Sequence, residues 1–518
     1  MGLRVTDANR SWWVLIAMTG SLSMILLDQT VVSVALPSIQ QDLDLSQTEL
    51  QWVVNAYLLA IAALVAVGGR LSDIVDRVRV FLVGVVVFAL ASALSGVAVD
   101  EVSILAARGV QGVGAALMIP ASAALVVNAF PIERRGRAMG IYAGVSMIFL
   151  SLGPLVGGVL TEWTWRAVFW VNVPVAIATV VMTLTARPEG RVPGGQRLDV
   201  AGLVALVLGL VAVVLALMQS PVWGWDDPLT WGLLLAGGVL LALFLLLEPH
   251  VRQPLVELRL FRDRNFAADN ATLFCIQFGL IGLTVFGAIY VQDILGFSAI
   301  EAGLSLLAVT LPLLVVAPRA GRVYDRVGPR LLVGTGATLV AGSFIWCGAV
   351  LDRLSYPWLM PGYVVMGIGI GLVMGPTNTD AMNAAPRALR GQASGVVQTV
   401  RQVGGTVGLA IMGTVVVNVQ HSKLDDFLVG LGASPTLVSR IENVLAQDEG
   451  DQQAVAQAVP AAERAQVLDG VRDAVVSGIT WAYYAGGIVV AIAALLAFAV
   501  LRHERFEEAD EVTAAPVA

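Results

Sequence analysis

The sequence predicts an all-α integral membrane protein of fourteen spanning helices, and three observations carry that class. Of its 518 residues 57% are hydrophobic and 13% charged, with a mean hydropathy of +0.80, whereas a soluble domain carries about 25% charged residues. The apolar residues fall in runs near the ~20 needed to cross a ~30 Å hydrocarbon core as a helix. Arginines gather in every second loop between those runs, which is the pattern that orients a polytopic chain.

The runs lie at 12–36, 51–70, 79–99, 102–128, 137–161, 166–186, 199–219, 229–249, 266–292, 300–319, 331–351, 357–384, 391–418 and 478–501. Arg4 and Arg10 precede the first run as in a signal peptide, but the run is too long and lacks a small-residue cleavage site, so it is retained as a span. Arg77 and Arg79, then Arg134, Arg135 and Arg137, then Arg187, Arg191 and Arg197, then Arg252, Arg259, Arg262 and Arg264, then Arg319, Arg322, Arg326 and Arg330, then Arg387 and Arg390 occupy alternate loops. The loops between them carry acids such as Asp42, Asp44, Glu49, Asp100, Glu101, Asp226 and Asp227. An even number of spans with this bias puts both termini in the cytoplasm of a plasma-membrane protein.

Other classes are excluded by what the chain lacks. There is no basic patch for nucleic acid and no G-x-x-x-x-G-K-[ST] stretch for a nucleotide. Cys275 and Cys347 lie in apolar runs, and His250, His421 and His503 are scattered, so neither a disulfide framework nor a metal site is indicated. Neither catalysis nor a cofactor is called for.

Two pairs of segments repeat. Gly69-Arg70-Leu71-Ser72-Asp73, followed by Arg77 and Arg79, returns as Gly321-Arg322-Val323-Tyr324-Asp325, followed by Arg326, Gly328 and Arg330. Arg135-Gly136-Arg137-Ala138-Met139-Gly140 returns as Arg390-Gly391-Gln392-Ala393-Ser394-Gly395. The offsets, 252 from Asp73 to Asp325 and 255 from Gly136 to Gly391, nearly agree. Transporters are commonly built from such repeated halves. The expected organisation is an N-terminal six-helix bundle at 1–190, two extra central helices at 191–250, a cytoplasmic amphipathic linker at 251–265, a C-terminal six-helix bundle at 266–501 and a cytoplasmic tail at 502–518. The linker is expected to lie on the membrane face, with Leu255, Val256, Leu258, Leu260 and Phe261 opposite its arginines. Residues 419–477 are expected to form one acidic extracellular loop, either a lid or a solvated loop, with short helices at 435–447 and 461–476.

Charges inside the runs are the functional candidates, because each costs at least ~2.5–3.5 kcal/mol on insertion scales. Asp28 lies about 22 Å along its helix, and Arg108 about 9 Å below the outer surface on the fourth, so their depths nearly match. They are expected to face one water-filled cavity and to sense each other, a pair whose loosening would change the protonation of Asp28. The repeat offset sets Leu280 opposite Asp28, so coupling should concentrate in the N-terminal half. Weaker candidates are a second-half pair, Asp380 with Arg401, and the cavity-lining Asn55, Tyr57, Gln111, Asp269, Gln277 and Tyr290. For Asp380, interfacial anchoring is the alternative. Asp73 is expected at the N-terminus of the thirteenth span near Gly391, where the helix dipole favours an anion, with Arg77 completing the pair. By symmetry Asp325, with Arg326, should face Gly136.

Taken together, the Asp28 segment Leu27 to Pro37, the Gly69–Arg79 loop, Arg108-Gly109-Val110-Gln111-Gly112-Val113-Gly114, Gly153-Pro154-Leu155-Val156-Gly157-Gly158 and Trp165-Arg166-Ala167-Val168-Phe169-Trp170-Val171-Asn172-Val173-Pro174 resemble the major facilitator superfamily. More narrowly they resemble its fourteen-span drug/proton antiporters of the QacA and EmrB type. The chain departs from that pattern at Asp76 and Phe149, where glycines are usual. The resemblance implies the major facilitator fold, alternating access, and antiport marked by Gly153, Pro154, Gly157 and Gly158, whose close packing should seal the halves against leak. It implies a monomer that exports amphipathic cationic or neutral small molecules against inward protons, among membrane lipids. A dedicated exporter of an endogenous lipid, siderophore or self-made antibiotic is the alternative, and a proton-coupled importer a further one.

Overall fold

In the computed structural model, residues 6, 9–45, 47–190, 199–251, 254–386, 389–430 and 464–502 are described. Their regular elements are all helical. In chain order they are α1 Arg10–Leu43, α2 Gln47–Ile74, α3 Arg77–Ser95, α4 Glu101–Ala129 and α5 Ile132–Trp163. Next come α6 Ala167–Ala186, α7 Val200–Trp223 and α8 Pro228–Leu247. The chain continues as α9 Arg264–Ile289, α10 in two pieces Ala299–Ser305 and Leu307–Val327, α11 Arg330–Val350, α12 Tyr356–Ala384, α13 Arg390–Gly430 and α14 Arg464–Val500. Thirteen are apolar and long enough to cross a membrane, and α5 makes the fourteenth with a 46° change of direction between Ile132–Leu150 and Leu155–Trp163.

Side chains at the helix starts explain several boundaries. Asp100 begins α4 as a capping box with Ser103, accepting its N–H at 2.8 Å. Asp199, Asp227 and Asp263 accept first-turn N–H groups of α7, α8 and α9, which would otherwise be orphaned. Asp76, in place of a motif glycine, is the N-cap of α3 and accepts the Arg79 N–H at 3.0 Å. Its φ of 177° is ordinary extended backbone. The repeat-related residue Gly328 has φ +79°, a conformation that favours glycine. One loop position has therefore been built in two ways.

Helices α1–α6 pack among themselves, as do α9–α14, and the two groups meet along α2 against α13 and α5 against α10 and α12. At both seams the backbones nearly touch. A Cβ on Gly69 would strike the Gly391 carbonyl, and one on Gly321 would strike Gly136. Inserted helix α7 packs on α2 and on α13, while α8 packs mainly on α7. The loop between them is tied to α13 by the Trp225 indole N–H, which donates to Thr414 Oγ1 at 2.7 Å.

Two expectations change. The linker after α8 does not turn its apolar side to the membrane surface: Leu255, Val256 and Leu260 are buried in the protein. The Val256 N–H donates to Glu248 and the Glu257 N–H to Gln392, so protein, rather than lipid, covers that face. The ends of the expected 419–477 loop are helix, since α13 runs on to Gly430 and α14 starts at Arg464. Polar residues extend both helices beyond the apolar stretch. The expected helix at 435–447, residues 191–198 and the tail 503–518 lie outside the described residues.

Packing within a half and between halves should respond differently to added bulk. Gly68→Val, whose side chain meets the Ala116 carbonyl inside the first half, should lower thermal stability by about 1–3 kcal/mol. Gly321→Val should instead part the seam, raising the maleimide labelling rate of a Met139→Cys probe, a site 3% exposed, with Cys275 and Cys347 replaced by alanine.

Candidate functional site

Asp28 and Arg108 form a direct ion pair, with Arg108 Nη1 donating to Asp28 Oδ2 at 2.7 Å. Both are 0% exposed, so in this structure they face no cavity, contrary to the sequence expectation. Other donors complete the carboxylate. Gln111 Nε2 and Asn172 Nδ2 donate to Oδ1 at 2.8 and 2.9 Å. Gln111 lies one helical turn after Arg108 on the same face of α4, and its Oε1 accepts from Arg108 Nη1 at 2.7 Å. Arg108 Nε donates to the Val53 carbonyl of α2 at 2.9 Å. The guanidinium lies 4.3 Å from the Tyr57 ring centroid and 5.7 Å from that of Phe169, within cation–π range.

Asn172 follows the short helical turn Ala167–Trp170 and opens the helix Asn172–Ala186. Its amide also donates to Ser92 of α3 at 3.0 Å, and Ser92 donates to the Phe169 carbonyl at 2.8 Å. Side chains and backbone from α1, α2, α3, α4 and α6 thus converge on one carboxylate. Burying two charges is costly, and only such complete hydrogen bonding offsets it. Tyr57 and Gln111 therefore belong to the ion-pair shell rather than to a cavity wall. Asn55 and Gln277 are half-buried, and Gln277 Oε1 has no partner. Tyr290 is not a cavity residue, since its hydroxyl donates to the Leu351 carbonyl at 2.7 Å inside the second half.

At the arginine-rich end, two repeat-related carboxylates grip helix starts across the seams. Asp73 accepts the N–H groups of Gly391 and Gln392 at 3.0 and 2.7 Å, and Arg77 Nη2 donates to it at 2.7 Å. Asp325 accepts from the Gly136 and Arg137 N–H groups at 2.9 and 3.3 Å. The symmetry stops there, because Arg326 is exposed and makes no ion pair among the described residues. A second pair of contacts, absent from the sequence reading, follows the 255-residue offset. Arg135 donates to Asn383 at 3.0 Å, and Arg390 to Asn128 at 2.8 Å.

The expected Asp380–Arg401 pair does not form. Asp380 accepts from the Tyr324 hydroxyl at 2.9 Å and lies 3.4 Å from Arg502, while Arg401 Nη1 donates to Gln398 at 3.2 Å. Helix α14 delivers Arg502 to the acid that α13 was expected to satisfy. The fifth-span glycines also act elsewhere than expected. A Cβ on Gly153 would strike Thr30, and one on Gly157 would meet Val31 and Val34, so they press α5 onto α1 just beyond Asp28. Gly158 is half-buried, and the side chain of Pro154 lies outside the described residues. The α5 seam between halves is made instead by Gly136 and Gly140 against Gly321 and Ala317.

The family model described as Major Facilitator Superfamily matches residues 18–409. The chain belongs to the major facilitator superfamily. Among curated relatives, the Tetracenomycin C resistance and export protein of Streptomyces glaucescens is 33% identical over 510 residues, covering 97% of this chain and 94% of the relative. The Puromycin resistance protein pur8 of Streptomyces alboniger is 37% identical over 438 residues, covering 82% and 85%. Multidrug resistance protein Stp of Mycobacterium tuberculosis is 32% identical over 410 residues, covering 79% and 76%. Of solved structures, the proton:xylose symporter XylE bound to a glucose analogue aligns with a TM-score of 0.61 at 14% identity over 95% of each chain. The human organic anion transporter MFSD10 aligns with a TM-score of 0.59 at 14% identity, over 94% of this chain and 99% of its own. These superfamily members share the fold.

Removing one member of the ion pair leaves a buried charge uncompensated, a loss of about 3–5 kcal/mol. Arg108→Gln should therefore lower the melting temperature more than the double variant Asp28→Asn/Arg108→Gln, which removes both charges. Thermal unfolding of purified protein in one detergent checks the order.

Proposed function

We propose that this protein is a proton-coupled exporter that moves amphipathic, cationic or neutral small molecules out of the cell by alternating access. The observation that carries the reading is an acid, Asp28, held between α1, α4 and α6 by three donors. In such a site, protonation trades the Arg108 bond for a neutral carboxyl. A change in the packing of the first half can then exchange a proton for substrate. The names of the relatives, which speak of antibiotic resistance, export and multidrug resistance, support outward transport of small molecules.

The arginine-rich end is taken as cytoplasmic by the positive-inside rule, with both termini there and the protein in the plasma membrane. On that orientation Asp73 and Asp325 close the cytoplasmic side, and α1–α6 and α9–α14 are the two bodies that rock, with the α7–α8 hairpin between them in sequence. Protons are the coupling ion, no cofactor takes part, and the monomer suffices. A membrane potential contributes about 2.3 kcal/mol per charge per 100 mV, enough for useful gradients without nucleotide. A second reading, a dedicated exporter of one endogenous compound, is favoured by relatives named for single antibiotics.

Proteoliposomes incubated with a panel of amphipathic dyes and antibiotics outside, and given an imposed pH gradient, separate the readings. Uptake of many compounds against their gradients supports the multidrug form, and uptake of one supports the dedicated form. Asp28→Asn should abolish proton-driven accumulation while leaving downhill exchange measurable. Undiminished accumulation by that variant would refute coupling at Asp28.

Opening of the closed end should also respond to its two grips. Asp73→Asn removes the anion at the start of α13, and Asp325→Asn the one at the start of α5. Each charge–dipole contact is typically worth about 0.3–1 kcal/mol. Each variant should therefore shift the population towards an open arginine-rich end, with Asp73→Asn the larger because it also releases Arg77. Double electron–electron resonance across the seam reads that order.

A further inference from the structure

The first half holds its intramembrane acid in a neutral ion pair, whereas the second half holds two acids against one arginine. Asp269 on α9 and Asp380 on α12 are both 0% exposed, and the two helices pack against each other. The geometry around them agrees. The Arg502 N–H donates to Asn265 Oδ1 at 2.8 Å, Arg502 Nη2 lies 3.4 Å from Asp380 Oδ2, and Asp269 is one helical turn beyond Asn265 on the same face of α9. Asp380 has a hydrogen bond from the Tyr324 hydroxyl on Oδ1 and an ion-pair contact with Arg502 on Oδ2. Neither oxygen of Asp269 has a hydrogen-bond partner.

Two carboxylates sharing a buried site cannot both stay ionised beside a single guanidinium. The groups facing the site from each element are Asp263 and Asp269 of α9, Tyr324 of α10, Asp380 of α12 and Arg502 after α14. That set sums to a negative charge with every acid ionised. Among the described residues no group of three His, Cys, Asp or Glu side chains is placed to hold a metal ion, and a guanidinium already stands against Asp380.

We propose that Asp269 is a second proton-binding site, carrying a proton that it donates to the Asp380 carboxylate while the arginine-rich end is closed. The site is wired to the seam. Tyr324, the donor to Asp380, also accepts from Asn383 Nδ2 at 3.3 Å, and Asn383 Oδ1 accepts from Arg135 of the first half at 3.0 Å. Tyr324 also immediately precedes Asp325, which grips the start of α5. Loss of the proton sets an ionised Asp269 against Asp380, pulls Arg502 and Tyr324 out of position and weakens the contact through Asn383 to Arg135. Closure thereby binds one proton and opening releases it. The repeat contains no second copy, since Leu125 stands 255 positions before Asp380 and Val14 the same distance before Asp269. The inference goes beyond the coupling assigned to Asp28 and rests on that reading only for the sidedness of release.

The test reads the seam without transport. Spin labels at Val75→Cys and Val327→Cys, exposed sites on either half, are placed in protein whose Cys275 and Cys347 are alanine, and distances are measured in detergent between pH 5 and 9. The closed-to-open ratio should fall by up to tenfold per pH unit through the titration, the linkage of one proton. In Asp269→Asn it should stay closed across the range. A pH-independent ratio in the parent, an unaltered titration in Asp269→Asn, or a response to sodium at fixed pH in place of pH would each overturn the proposal. Should Asp269→Asn fail to fold, infrared spectroscopy decides. The parent should show a neutral-carboxyl band that Asp269→Glu moves, and a band unmoved by that change, or no band, would refute the assignment.

Discussion

Everything in the first half is arranged around the cost of keeping Asp28 inside a low-dielectric interior. An ionised carboxylate there needs a partner, and Arg108 supplies it at 2.7 Å. The arginine in turn needs acceptors, and finds them in Gln111 and the Val53 carbonyl. The α3–α6 packing then follows from Asn172 and Ser92, and the α1–α5 packing from glycines that bring α5 against Thr30 and Val31. A site satisfied so fully is rigid unless one of its charges changes. Protonation of the carboxylate is the one event that alters its electrostatics without breaking a covalent bond.

The arginine-rich end is governed by a different economy. Carboxylates there meet backbone N–H groups at helix starts, contacts of modest individual strength that are repeated by the internal symmetry. Small residues let the backbones approach, and the polar bonds fix the register. Many weak contacts across two seams suit a surface that must part and re-form, whereas the Asp28 shell lies wholly within one half. The strong network lies within one half, and the weaker contacts lie between the halves.

Much of this was legible in the chain. Runs of apolar residues gave the spans. The 252 and 255 offsets led to Asp73 on Gly391 and Asp325 on Gly136, because an acid at a helix end and a glycine at a helix start are both local signals. Helix rise alone matched the depths of Asp28 and Arg108. Partners that depend on how helices rotate about their axes were not legible. Asn172 could be seen as a polar residue in an apolar span, but not which helix it would face. The sequence offers Asp380 as one partner for Arg401, an arginine inside a span that needs an acid, and the structure gives Asp380 Arg502 instead, a residue just past the last span. Asp269 was taken for a cavity wall because nothing local reveals a neighbouring acid on α12. Arg326 and Tyr290 show the limit of arguing by residue type: Arg326 directly follows its acid, whereas Arg77 stands one helical turn after Asp73 and reaches it, and Tyr290 spends its hydroxyl on a backbone carbonyl.

The inserted hairpin bears on how molecules dissolved in the bilayer would meet the transporter. Helix α7 rests on both α2 and α13, so it roofs one of the two lateral clefts between the bundles, and Trp225 pins its loop to Thr414. The inserted hairpin does not reach the opposite seam, where α5 meets α10. The molecule therefore has a shielded flank and a bare one. A lipid-soluble compound sliding in from the side meets backbone seams on the bare flank alone, while the shielded flank turns the apolar outer surface of α8 to the acyl chains.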